Sequence, residues 1–243
     1  MAKKDFYILN VFGKKPYTNA KAAGRDFSIP FLDKYSEISD DQVVDFYDAL
    51  SASYGFSKDN LLLITDRLAL EVAALFGDDK TEYIYSILLL YLSLETTMYS
   101  DKLDEESISK FVDYYLVFDA NSVPGLVMNF SDYLFINSGI KVKLPKDTAG
   151  VFRNKSGRGK NGWDVRAEVV DEDYSGYVHL SVSYTANFEN ANNIIYAGDK
   201  LTQMLILPIV QCEDVEVNQH EFEKLHKKSE RADKGFGSSN EKH

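Results

Sequence analysis

Few residues of this chain are of a type and spacing that could do chemistry on an anion, and they are widely separated. In Asn154-Lys155-Ser156-Gly157 an ammonium, a hydroxyl and a glycine sit together. A glycine's bare backbone lets a phosphate oxygen approach neighbouring N–H groups. The same tetrapeptide also reads as a basic β-turn. Asp171-Glu172-Asp173 concentrates carboxylates able to take a proton from water, and Tyr174, Ser175 and Gly176 follow directly. Its plainer reading is an acidic hairpin. Gln203, behind Gly198-Asp199 and before an apolar run, offers amide donors to an anion or equally to a sheet edge. Near the C-terminus, Gly235-Phe236-Gly237-Ser238-Ser239 places an aromatic in a segment too polar for a core, which suits a lid that orders on a ligand or a plain tail. One cysteine, Cys212, and four scattered histidines supply no thiolate cluster and no H-x-x-x-H pair, so a metal held by protein nitrogen or sulfur is not expected.

These residues need a scaffold, and the texture of the chain changes twice. Residues 1–33 read as strands and turns, with a β-rich run Phe6–Phe12 and an alternating stretch Phe27–Phe31. Ser39-Asp-Asp-Gln42 is a capping-box pattern, opening a helix that carries Val43, Phe46, Tyr47 and Leu50 at helical spacing. Further helices are expected over Ser57–Phe76, stopped by Gly77, and over about 80–99 and 104–116. Strand texture then returns over Tyr133–Ile136, Ile140–Leu144, Val165–Val170, Tyr177–Ser183 and Leu201–Val210, and the tail from Phe222 is polar. The chain therefore reads as mainly β: a β domain made of 1–33 and 116–243, a flexible segment at 222–243, and an all-α insertion at 34–115.

Composition narrows the class. With 243 residues, 44% hydrophobic and only 5 Pro and 14 Gly, the chain is globular, neither disordered nor collagen-like. A net charge of −11 and a pI near 4.9 argue against sequence-independent duplex binding, which depends on many cationic contacts to phosphates. No nucleic-acid partner is expected. The most apolar run, Ile84–Leu94, is broken by Ser86 and Ser93 and falls far short of the roughly 20 residues that span a bilayer. The stretch after Phe6 is too brief for a signal sequence. No membrane role is expected, and the cytoplasm is the default location. The acidity is local: 34–115 holds 6 Lys+Arg against 17 Asp+Glu, whereas the rest holds 21 of each. Residues 141–160 carry seven basic groups against Asp147 alone. Any partner of the helical block should therefore present a basic or neutral surface.

In order, Ala23-Gly-Arg-Asp26, Asn154-Lys-Ser-Gly157, Val170-Asp-Glu-Asp-Tyr-Ser-Gly176, Ala197-Gly-Asp-Lys-Leu-Thr-Gln203 and Arg231-Ala-Asp-Lys-Gly-Phe-Gly-Ser-Ser239 resemble the five-motif signature of the trimeric dUTPase family. Members of that family split dUTP into dUMP and pyrophosphate. The likeness covers 1–33 and 116–243, and the helical addition at 34–115 resembles those of phage-encoded members. The resemblance implies a jelly-roll-like subunit, a homotrimer whose active sites combine motifs of more than one chain, and Mg²⁺ as cofactor. It assigns Lys155, Ser156, Gly157 and Gln203 to the phosphates. It makes Asp171 the general base, holding the attacking water and the sugar 3′-hydroxyl, and lays the Tyr174 ring beneath the deoxyribose, where a 2′-hydroxyl has no room. Phe236 would stack on uracil, with Arg231, Gly237, Ser238 and Ser239 closing on the triphosphate. Asp26 would organise Mg²⁺ through water, without a direct protein ligand. These assignments match what phosphoryl transfer requires, namely a fixed triphosphate, neutralised charge and one aimed water.

Several residues depart from the family pattern. Arg25 stands where an aromatic is usual, Lys155 and Ser175 replace arginines, and Ala232-Asp233-Lys234 replaces a glycine-rich stretch. A lysine gives a point charge in place of a bidentate fork. One alternative is a dCTP-directed relative, a deaminase or a dCTP pyrophosphatase; in a deaminase Glu168 or Glu172 would act on the base. Another is a non-catalytic regulatory protein that keeps the fold and binds a protein partner through 34–115. Glu71, Glu82, Glu95 and Asp101 do not have the E-x-x-E spacing of the all-α nucleotide pyrophosphohydrolases.

Overall fold

A computed structural model describes residues 5–19, 21–32, 40–94, 105–186 and 193–225. Contacts divide the chain into two compact units, Met1–Ile209 and Val210–His243.

The first unit contains three antiparallel sheets. One has the order β1 (Tyr7–Asn10), β5 (Tyr133–Lys143), β9 (Tyr177–Tyr184), β7 (Trp163–Val165). A second joins β10 (Ile194–Tyr196), β4 (Pro124–Val127) and β3 (Leu116–Phe118). The third runs β2 (Arg25–Ser28), β11 (Lys200–Pro208), β6 (Thr148–Asn154), β8 (Val169–Val170). In this last sheet β11 is central, pairing Gln203 with both Asp26 on β2 and Arg153 on β6. Directly opposed residues share a face, so three polar side chains stand in one row. The other face carries Phe27 and Phe152, packed edge to face at 5.2 Å.

Between β2 and β3 the chain forms the helical region that its texture predicts. Helix α1 (Asp40–Tyr54) is followed by α2 (Lys58–Phe76), a 3₁₀ segment Asp78–Tyr83 and α3 (Ile84–Ser93), and later by α4 (Glu105–Lys110), which continues as a π-turn Phe111–Tyr115. The limits of α2 are local in origin. Ser57 Oγ accepts from Asn60 N at its start, and Gly77, at φ +100°, closes it with an N–H to Ala73 O. Every residue of α3 except Tyr85 is buried, which explains why it is apolar all round. It is the core helix beneath β4 and β5. Ser86 ties it to the exit of β2 by accepting from Leu32 N and donating to Leu32 O. One apolar core runs through helices and sheets alike, from Phe27 and Phe152 to Ile87, Leu90 and Val182. Among the described residues no helix is long and apolar enough to cross a membrane.

Some expectations shift. The strand expected over Val165–Val170 is two short strands, because Ala167 adopts φ +49° between them. The stretches 133–136 and 140–144 join in one strand, β5, with a register irregularity between Asn137 and Lys141. The helix expected to 116 ends at the π-turn, and β3 begins at Leu116. The polar tail opens with a short helix, α6 (Gln219–Leu225), in the second unit. The box at Ser39–Gln42 lies outside the residues whose side chains are described.

Candidate functional site

The residues singled out by chemistry fall into two groups at opposite ends of β6. At one end, β6 runs out at Asn154, and Lys155 precedes the short helix α5 (Ser156–Lys160). The expected basic turn is therefore a helical turn, with Ser156 and Gly157 in its first positions and open space where a side chain on Gly157 would lie. Lys155 Nζ stands 2.6 Å from Asp26 Oδ2, and Lys200 Nζ stands 3.6 Å from the same oxygen while lying 3.7 Å over the Tyr17 ring. Asp26 is only 16% exposed, so solvent weakly screens this cluster. Gln203 Nε2 donates to Asn154 O at 2.8 Å, fastening β11 to the start of the turn. The amide is thus satisfied within the sheet, on its central strand and not at an edge, and its nitrogen has a second N–H to offer. Gly24 completes the group sterically: a Cβ there would lie 3.1 Å from Gln203 Oε1 and 3.2 Å from Met204 O. Arg158 pairs with Asp199 Oδ2, which also accepts from Tyr196 N and so shapes the turn before β11.

At the other end, Val170 of β8 pairs with Gly150. Gly150 and Asn154 are four positions apart, about 13 Å along a strand. Asp171 and Lys155 therefore do not meet within one chain. Asp171 opens the turn into β9, its carbonyl accepting from Tyr174 N at 3.2 Å. Its carboxylate is exposed and makes no hydrogen bond or ion pair with the described residues. Two of its acidic neighbours are committed. Glu172 Oε2 accepts from Asp147 N at 2.7 Å, and Glu168 pairs with Arg153. Tyr174 folds back over Gly176 and donates its hydroxyl to Tyr177 O at 2.7 Å. A Cβ on Gly176 would lie 2.5 Å from that hydroxyl, so only glycine permits this ring position.

Asp171 and Tyr174 stand at a cavity of about 210 Å³ walled by Phe135, Phe152, Val170 and His179. His179 lies flat on Phe135, ring centroids 4.3 Å apart, with Nδ1 2.9 Å from Tyr177 O. Burial pushes its pKa down to about 4, a shift only partly offset by the Tyr177 carbonyl, so the ring is neutral at pH 7. Burial also raises the Tyr174 hydroxyl, which stays a donor.

Sequence reasoning singled out Asp26, Lys155 and Gln203, which the fold gathers, and Asp171 and Tyr174, which it places elsewhere. Arg231, Phe236, Gly237, Ser238 and Ser239 lie outside the described residues. Lys200, Arg158 and His179 carried no individual role in the sequence reading, although Lys200 lies in the fourth motif and Arg158 in the basic stretch 141–160. Lys200 sits next to Gly198-Asp199 in the sequence, and that adjacency was the available signal. Among the described residues no group of three or more His, Cys, Asp or Glu could hold a metal ion. Asp26 is already paired with two ammonium groups, so its carboxylate is not free for direct coordination of a cation.

Comparison with known proteins bears on both groups. A family model described as dUTPase matches residues 117–240. The deoxyuridine 5′-triphosphate nucleotidohydrolase of Paramecium bursaria Chlorella virus 1 is 32% identical over 94 residues, covering 38% of this chain and 64% of that protein. The protein of the same name from Hydrogenobaculum is 29% identical over 109 residues, covering 44% and 69%. The Pol polyprotein of equine infectious anemia virus (strain Wyoming) is 25% identical over 150 residues, 62% of this chain, and the match spans 12% of the polyprotein. In fold, the chain resembles a mutant dUTPase of Staphylococcus bacteriophage 80alpha solved with dUpNHpp, with a TM-score of 0.51 at 12% identity over 98% of this chain and 99% of that one.

Proposed function

Because the chain belongs to the dUTPase family, we propose that it hydrolyses dUTP to dUMP and pyrophosphate, with Asp171 directing the attacking water. The observation that carries the reading is the Asp171 carboxylate, which lines a cavity and has no partner among the described residues, while Glu168 and Glu172 are held by Arg153 and Asp147 and the exposed Asp173 does not line that cavity. In this mechanism Asp171 accepts a proton as water oxygen bonds to the α-phosphorus. The bond from that phosphorus to the bridging oxygen breaks, and pyrophosphate leaves. Lys155, Ser156, Gly157 and the Gln203 amide hold the phosphates, and Tyr174 backs the sugar. Mg²⁺ would arrive on the triphosphate and neutralise its charge, with Asp26 and its two lysines beside the cation's water shell.

The separation of Lys155 from Asp171 supports a shared site, in which the Asp171 hairpin of one subunit faces the lysine cluster of another in a homotrimer. Incubation of the purified chain with each deoxynucleoside triphosphate and Mg²⁺, with pyrophosphate measured, tests the reading. Release from dUTP is expected. None from dUTP overturns the proposal, and release from dCTP transfers it to the dCTP-directed relatives.

A second reading, compatible with the first, concerns α2. Leu63 and Leu70, two helical turns apart, are 68% and 66% exposed beside Leu62 on an acidic segment. They suit a protein partner with a neutral or basic apolar surface. Because α3 fills the core, deletion of 34–115 would open the fold. Leu63→Lys with Leu70→Lys is the better probe, expected to abolish partner capture without changing turnover.

A further inference from the structure

We propose that Lys200 is a positioning residue for the phosphate half: it takes over the Asp26 carboxylate when Lys155 turns from it to a triphosphate. This rests on the reading of the chain as a dUTP hydrolase and names the exchange of counter-ions that opens its phosphate site.

The argument begins with a surplus of charge. Nearby cations are matched one to one, Arg153 with Glu168 and Arg158 with Asp199. Asp26 instead faces two, Lys155 Nζ at 2.6 Å and Lys200 Nζ at 3.6 Å from the same Oδ2. An irregularity of β11 brings Lys200 there. Three positions before Gln203, it would stand on the opposite face of a regular strand. The register shift between Lys200 and Thr202 pairs it with Ser28, two positions beyond Asp26 on β2, and so returns it to the face that carries Asp26 and Gln203. Tyr17 then holds it. The Tyr17 ring centroid lies 3.7 Å from the ammonium. The Tyr17 backbone is bonded to Asp26 in both directions, Tyr17 N to Asp26 O at 2.9 Å and Asp26 N to Tyr17 O at 2.8 Å.

In the proposed function Lys155 serves the phosphates, yet here it is closed on Asp26. With Lys155 alone the pair would be neutral and would offer an anion no net attraction. Drawing Lys155 away would also leave a carboxylate largely sheltered from solvent without a counter-ion and beside an incoming polyanion, which costs most where water screens least. Lys200 removes both obstacles. Two ammonium groups and one carboxylate leave the cluster with a net positive charge. The Lys200 ammonium is already within ion-pair range of Oδ2, and a movement of about 1 Å closes it to a charge-assisted hydrogen bond. Lysine suits both positions, because its ammonium is a point charge on a flexible stem that can change acceptors without breaking a bidentate fork.

Calorimetric titration of the full chain with a non-hydrolysable imido analogue of dUTP, without Mg²⁺, tests this in wild type, Lys200→Met, Asp26→Asn and the double variant. Methionine keeps an unbranched stem beside Tyr17 and removes the ammonium, so Lys200→Met should weaken binding about 10-fold. In the Asp26→Asn background Lys155 has no carboxylate to leave, and the same substitution should change affinity by less than about 2-fold. Equal losses in both backgrounds would make Lys200 a direct contact of the phosphates, and no loss in either would make it a packing residue on Tyr17. Each of these results overturns the proposal. Should a variant not fold, a crystal structure of the wild type with the analogue decides: Lys155 should lie on a phosphate and Lys200 on Asp26. Lys155 still on Asp26, or Lys200 on a phosphate, overturns it. Wild-type protein that shows the exchange yet releases no pyrophosphate from dUTP would sink the hydrolase reading and leave this one standing. A dUTP hydrolase whose affinity for the analogue ignores Lys200→Met would do the reverse.

Discussion

The two ends of β6 solve opposite problems. At the Lys155 end the charges are already matched: Lys155 and Lys200 share Asp26, Arg158 holds Asp199, and Gln203 is bonded to the Asn154 carbonyl. At the Asp171 end the walls are apolar and two acceptors, the Asp171 carboxylate and His179 Nε2, have no partner among the described residues. A phosphate binding the first group must replace an internal carboxylate, so its net gain is the difference between two ion pairs, which is small. In the proposed function the attacking water meets, at the second group, a carboxylate that no described residue satisfies. In the proposed function the phosphates and the attacking water are handled by separate halves, which meet when two copies of the chain come together.

The largest expected effect breaks that division. Asp171→Asn should lower turnover about 10³-fold while nucleotide binding survives, because the amide keeps the shape and loses the base. Lys155→Ala should lose activity by weaker triphosphate binding. Neither variant alone separates a shared site from one within a single chain, but mixing them does. When the two inactive proteins are unfolded and refolded together, mixed trimers contain sites with an intact Lys155 from one chain and an intact Asp171 from the other, and pyrophosphate release should return. A mixture as inactive as its components places the whole site in one chain.

What the sequence disclosed follows from how far apart the determinants lie. Helix α2 was legible because Ser57 and Gly77 act within a turn of its ends, and α3 because its apolar run is too short for any role but core. The pairing of Asp26 with Gln203 spans most of the chain, and no pattern of the sequence shows it; the likeness in motif order gave both residues roles toward the nucleotide but did not pair their strands. No local pattern shows that Asn154-Lys155-Ser156-Gly157 enters a short helix, or that a positive φ at Ala167 splits the strand before Asp171. His179 was unreadable for the same reason. Its tautomer, its stacking and its empty acceptor all depend on Phe135 and Tyr54, one on the neighbouring strand and one on a helix some 120 residues earlier.

A second test sharpens the cavity half alone. Gly176→Ala puts a methyl where the Tyr174 hydroxyl and Cζ now lie, at 2.5 and 2.7 Å, so the ring must swing out and lose its bond to Tyr177 O. Triphosphate contacts remain in place at the far end of β6. The expected outcome is about a 10-fold fall in kcat/KM for dUTP, with better relative use of UTP as the sugar pocket loosens. Steady-state kinetics on both substrates checks this. An unchanged dUTP to UTP ratio removes Tyr174 from sugar selection.

The smallest effect separates the halves by pH. His179 has a pKa of about 4 in the folded chain against an ordinary 6.5, so between those values the unfolded chain binds more protons. The stability due to the neutral ring is complete above pH 6.5, falls as the pH drops through the window, and is gone below 4. From pH 6 to pH 5 the loss is about 1 kcal/mol. Denaturant melts of wild type and His179→Phe across this range should diverge, the wild type losing stability faster on acidification. Parallel slopes would mean that the imidazole is not held neutral against Phe135.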